Sequence, residues 1–88
     1  MDDGTSARLS ENSYLMTTTT AAAGSVMRHL DFVHQAYRPD LDVRFVSVTE
    51  QWAQFAVSGP RSRDVITSIL DEPLNKKAWT FMACGEVK

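Results

Sequence analysis

Cysteine is nearly absent. Cys84 stands alone in a chain of 88 residues, which excludes an internal disulfide and suits a reducing, cytoplasmic setting. Histidine is scarce too, and His29, His34 and Cys84 offer no metal-ligand spacing. The uncharged stretch Ser13 to Met27 carries four threonines and two serines, so no membrane span is expected. Two acids stand at the start, Asp2 and Asp3, where a secretory leader would be basic. Four glycines are too few and too scattered for a phosphate cradle. Neither sign of charge dominates: nine Lys and Arg against eleven Asp and Glu give a net charge of −2. The bases are dispersed among acids, which excludes a nucleic-acid footprint.

What is present is ordinary globular composition, 43% apolar and 23% charged, enough for one domain or a piece of one. Met1 to Leu9 reads as a strand. Ser10-Glu11-Asn12-Ser13 reads as a four-residue hairpin loop, and Tyr14 to Thr18 as the returning strand. Thr19 or Thr20 can cap a helix over Ala21 to Tyr37. That helix has an apolar stripe of Val26, Leu30, Val33 and Tyr37, edged by Met27 and His34, and Arg38-Pro39 ends it. Gly24 weakens its first turns and is expected there for close packing.

Leu41 to Val48 reads as a third strand, apolar on both faces. Thr49-Glu50-Gln51 turns into a fourth, Trp52 to Ser58, with Ala53, Phe55 and Val57 on one side. Gly59-Pro60 opens a second helix with proline at its first position and a stripe of Val65, Ile66, Ile69 and Leu70. Asp71-Glu72-Pro73 closes it. A linker, Leu74 to Lys77, leads to a last strand over Trp79 to Cys84, where the thiol would be a small apolar filler. The order ββαββα-β predicts an α+β fold: a two-layer sandwich with a mixed sheet and both helices on one face, joined by a right-handed crossover.

Alternation along the first strand puts Asp3, Thr5, Ala7 and Leu9 on one side and Asp2, Gly4, Ser6 and Arg8 on the other. Only one of the adjacent acids can then face a pocket, and the apolar side selects Asp3. A carboxylate on that face would need a polar partner, and it could position or deprotonate a bound amine. The alternative is a solvated chain end. His29 and His34, five apart, do not share a helix face and read as surface or stripe-edge residues. Trp52 and Trp79 could stack on a planar ligand or fill a core. Thr17 to Thr20 could dock a polar group at the helix start or simply cap it.

Several of these runs resemble the aminomethyltransferase (glycine-cleavage T-protein) family. They are Met1-Asp2-Asp3-Gly4-Thr5, Glu11 to Ala23 with its threonine run, Asp42-Val43, and Val57-Ser58-Gly59-Pro60-Arg61. The threonine run and Val48-Thr49-Glu50-Gln51-Trp52-Ala53 are most similar to one branch, the folate-binding region of the α subunits of heterotetrameric sarcosine oxidases. That resemblance covers nearly the whole chain but only the middle of the region. It implies a partial folate-binding domain over residues 1–88 and a tetrahydrofolate site. The second acid of the pair, Asp3, would lie beside the pterin and help a folate nitrogen capture a one-carbon unit as 5,10-methylenetetrahydrofolate. The position of Thr18 carries a pterin-contacting asparagine in the aminomethyltransferases, and threonine departs from that pattern. Flavin and NAD would belong elsewhere in the parent complex, and its other subunits would be the partners.

Competing functions are a relative of the same fold serving RNA modification or iron–sulfur assembly, and a stand-alone α+β interaction module. The chain opens in a strand-like run and stops at Gly85-Glu86-Val87-Lys88 with no closing element, so it is expected to be an internal fragment. An isolated fragment would expose apolar surface, self-associate, and bind folate weakly or not at all.

Overall fold

In the computed structural model the described residues are 2–88, so Met1, where the first strand-like run begins, lies outside them. The fold is α+β. Strand β1 (Thr5–Ser10) pairs with β2 (Ser13–Thr17), a 3-10 turn over Thr20–Ala22 follows, and helix α1 spans Ala23–Tyr37. A second 3-10 turn, Thr49–Gln51, precedes helix α2 (Ser62–Ile69). Contacts divide the chain into two units, residues 1–7 with 14–52 and residues 8–13 with 53–88.

The hairpin is tighter than the sequence suggests. Glu11 and Asn12 alone form its turn, and neither has the positive φ of the primed hairpin turns. Arg8 offsets that poor match: its guanidinium donates to the carbonyl oxygens of Ser10 at 3.3 Å and Glu11 at 3.0 Å. The turn is thus held by a side chain rather than by its own backbone conformation.

In the first unit, α1 half-buries Val26, Met27, Leu30, Val33 and His34, the stripe the periodicity predicts, whereas Tyr37 is exposed and packs edge-on against Phe32. The helix begins by a different device than a hydroxyl cap. The Ala22 amide bonds back to the Thr19 carbonyl at 3.1 Å, and no threonine side chain caps either segment. Gly24 meets nothing: a Cβ built there has open space around it, so close packing does not explain this glycine. At the other end Arg38 donates its amide to His34 and Val33, and the His34 ring nitrogen Nε2 donates to the Leu41 carbonyl at 2.8 Å, turning the chain back.

The segments 41–48, 52–58 and 79–84, expected as strands, form no ladder among the described residues. For the first two the cause is the lack of a partner. Trp52 has extended dihedrals, and the Thr49–Gln51 turn forms where expected, yet a strand exists only when a neighbour takes its backbone groups. The segment 79–84 is different, because it is locally turned. Asn75 Oδ1 accepts the Lys77 amide at 2.8 Å, the Asn75 carbonyl accepts Ala78 and Trp79, and Thr80 accepts Ala83. The Thr80–Ala83 bond, with Met82 at φ +64°, turns the chain inside the segment itself.

In the second unit, Gly59 takes φ +121°, a conformation glycine adopts without strain, and α2 starts at Ser62, two residues past Pro60 rather than at it. Its inward face is Ser62, Arg63, Ile66, Thr67 and Leu70, while Val65 and Ile69 of the expected stripe are exposed. Polar reach fixes that rotation. Arg63 donates to the carbonyl oxygens of Leu74 and Trp79, and Thr67 Oγ1 accepts the Leu74 amide. Cys84 is exposed rather than a core filler, with Sγ 3.5 Å from the Arg8 carbonyl. No described residue is fully buried.

Candidate functional site

Backbone closeness builds the site in the first unit. Residues 2–4 run alongside 17–19, and Gly4 sits so close to the Thr17 carbonyl that a Cβ there would overlap its oxygen. One step on, Thr5 Oγ1 and Thr17 Oγ1 are 2.7 Å apart, and the Thr5 amide donates to Thr17 Oγ1 at 3.2 Å. One step back, Asp2 Oδ2 accepts the Thr19 amide at 2.7 Å. Hydrogen bonds at Asp2 and at Thr5, with the close approach of Gly4 between them, fasten the N-terminal segment to the threonine run.

The hollow beside this clasp measures about 370 Å³. Asp2, Asp3, Thr17 and Thr18 line it together with Met16 and Leu30, and His29 of α1 reaches it as well. Its chemistry is lopsided: two carboxylates and several hydroxyls stand against an apolar wall. Such a surface accepts hydrogen bonds from a flat, donor-rich ligand. Among the described residues no group of three or more His, Cys, Asp or Glu could hold a metal ion.

Asp3 and Thr18, the two residues singled out from the sequence, both line this hollow. The route by which alternation selected Asp3 is not the one the structure follows. Residues 2–4 precede β1, so the strand's two-residue period does not govern them, and both acids reach the same hollow. Asp3 is exposed, Ala7 is half-buried, and Leu9 is 45% exposed, so no buried apolar face surrounds that carboxylate. Thr18 is half-buried, and its hydroxyl donates to the Thr19 carbonyl at 2.9 Å, which leaves its lone pairs to accept.

Two further residues belong to the site. Asp2 is half-buried, and the Thr19 N–H holds its carboxyl below the ordinary carboxylate value. Its sequence signal was the run of free amides that any helix start provides, for which a nearby carboxylate is a natural partner. His29 carried no such signal: it lies outside the arc of Val26, Leu30, Val33 and Tyr37, on the side away from Met27 and His34, and it is exposed.

The chain belongs to the GCVT N-terminal domain family, which it matches over residues 1–88. Among individual proteins, it is 51% identical over 86 residues to sarcosine oxidase subunit alpha of Rhizobium meliloti (strain 1021), covering 98% of this chain and 9% of that protein. Against sarcosine oxidase subunit alpha of Corynebacterium sp. (strain U-96) it is 46% identical over 87 residues, with the same shares of 98% and 9%. It is also similar to an aminomethyltransferase of Staphylococcus haemolyticus (strain JCSC1435), 31% identical over 72 residues, 81% of this chain and 18% of that one. The chain thus spans only 9% of the length of the oxidase subunits it matches. No solved structure matches it.

Proposed function

We propose that the chain is part of the tetrahydrofolate-binding domain of a sarcosine-oxidase-type α subunit, which captures the one-carbon unit of the oxidised amine as 5,10-methylenetetrahydrofolate. The observation that carries this reading is the shared hollow: Asp3, Thr18 and Asp2 meet there in a chain of the GCVT N-terminal domain family. A reduced pterin is flat and rich in N–H donors. The residues present suit it, because carboxylate and hydroxyl oxygens accept along one side while Met16, Val26 and Leu30 provide an apolar wall. A volume of about 370 Å³ falls within the usual range for small-ligand pockets.

Within this reading Asp3 is the catalytic residue. Its exposure leaves the carboxylate accessible, so it can take the proton that a folate amine releases as the nitrogen bonds to the one-carbon unit. Thr18 accepts a hydrogen bond from the pterin where the aminomethyltransferases use an amide. Oxidation of the amine belongs to flavin, with NAD, elsewhere in the parent protein, and the remaining subunits of the oxidase are the partners. The coarser alternative, a folate-dependent aminomethyltransferase without oxidase chemistry, draws on the 31% identity to the staphylococcal enzyme.

Asp3→Asn in the full-length protein tests the assignment. The substitution keeps the shape and removes the base, so capture of the one-carbon unit by tetrahydrofolate should slow by about 100-fold, the lower end for a lost general base. Capture at the wild-type rate would overturn the role of Asp3.

A further inference from the structure

Asp2 is the group in the hollow for which the proposed chemistry has no use. It neighbours the catalytic candidate, yet its carboxylate is engaged with protein. Oδ2 accepts the Thr19 amide at 2.7 Å, the shorter end for a charge-assisted N–H···O bond. The amide it takes belongs to the residue directly after Thr18, and it lies just ahead of the 3-10 turn over Thr20–Ala22, where backbone donors lack intrahelical partners. Thr19 itself has extended dihedrals of −67° and 150°, so the chain changes direction at this residue.

Three facts make this bond directional for the site. Gly4 lets the segment lie against the Thr17 carbonyl, which no larger residue would permit. The Thr5–Thr17 hydroxyl pair fixes the near end of the crossing. Asp2 fixes the far end, so Thr18 is held between two anchors, and Asp3 is held between Asp2 and Gly4 on the opposing segment. Without the Asp2 bond, the two ligand-facing residues lose their shared far anchor and the Thr19 amide must turn to water.

We infer that Asp2 is a positioning residue of this site: its carboxylate, bonded to the Thr19 amide, sets Thr18 and Asp3 at fixed separation across the hollow. The inference rests on the folate-binding reading above, and it adds a residue to which the proton-transfer chemistry gave no role. It assigns the two adjacent acids different tasks. Asp3 meets the ligand, and Asp2 meets the protein.

The test uses the full-length protein with Asp2→Ala and Asp2→Asn, measuring tetrahydrofolate binding by titration and the capture reaction by steady-state kinetics. Asp2→Ala removes the acceptor, and a lost hydrogen bond to a charged group predicts a Kd raised by about tenfold, with more of the loss in KM for folate than in kcat. Asp2→Asn still presents an amide oxygen to the Thr19 N–H, so it should restore binding to within about threefold of wild type. Asp2→Ala binding as wild type does, or Asp2→Asn losing as much as Asp2→Ala, would overturn the inference while leaving the folate reading intact. If Asp2→Ala fails to fold, Asp2→Asn alone decides, because loss of its affinity would show that charge and not the bond is required. Absence of saturable folate binding in the wild-type protein would overturn the functional reading, and this inference with it.

Discussion

At the scale of single residues, the adjacent acids Asp2 and Asp3 differ in surroundings: Asp2 is half-buried and accepts the Thr19 amide, whereas Asp3 is exposed. Asp2 has a lowered pKa, caused first by the Thr19 amide, so it binds a proton less readily folded than unfolded. The sign follows directly. Its charge-assisted contribution is present in full above the ordinary carboxylate value of 3.8 and drains away as pH falls through the lowered one. The stability difference between wild type and Asp2→Asn should therefore be constant from neutral pH down to mild acid and vanish below the ordinary carboxylate range. Thermal unfolding of the full-length proteins across pH checks it. A difference that grows on acidification would contradict the Asp2–Thr19 bond. The Arg38–Asp40 pair also lowers a carboxyl, but both side chains are more than half exposed, and such pairs contribute little.

At the scale of elements, the helices were legible and their details were not. α1 keeps its predicted stripe apart from Tyr37 and ends there, ahead of Arg38, because periodicity and the residue before proline act within a few positions of themselves. Gly24 does not keep its expected role. It is a helical glycine with open space at its Cβ, so Gly24→Ala should stabilise the protein by about 0.5–1 kcal/mol, read as a higher unfolding midpoint. A destabilised variant would mean that another part of the protein packs against that position. α2 turned from its expected stripe because Arg63 and Thr67 carry the polar contacts to residues 74–79, and hydropathy does not weigh such bonds. The run from Trp79 onward is likewise turned by contacts that strand propensity does not weigh: the Ala83 amide bonds back to the Thr80 carbonyl, and Met82 takes φ +64°.

For the whole molecule, the missing core is the governing fact. No described residue is buried, and Phe81 at 94%, Phe55 at 85% and Val46 at 76% exposure are far outside what folded interiors show. The absence of any strand ladder over 41–48 and 52–58 goes with it. The 88-residue chain by itself should therefore exchange its amide hydrogens in those two segments at close to the free-chain rate, while those of α1 exchange more slowly. Strong protection there would show that the segments find partners within or between copies.

The sequence alone determined what depends on near neighbours: the α+β class, both helices and the hairpin. Tertiary structure decided what depends on approach between distant residues. It put both acids, and not one, on the hollow, because residues 2–4 lie outside the strand whose alternation was used to separate them. It gave Asp2 its partner across 17 positions of chain, a distance no local pattern spans. It also withheld the wider sheet, since a strand is a property of two segments and a sequence run describes only one.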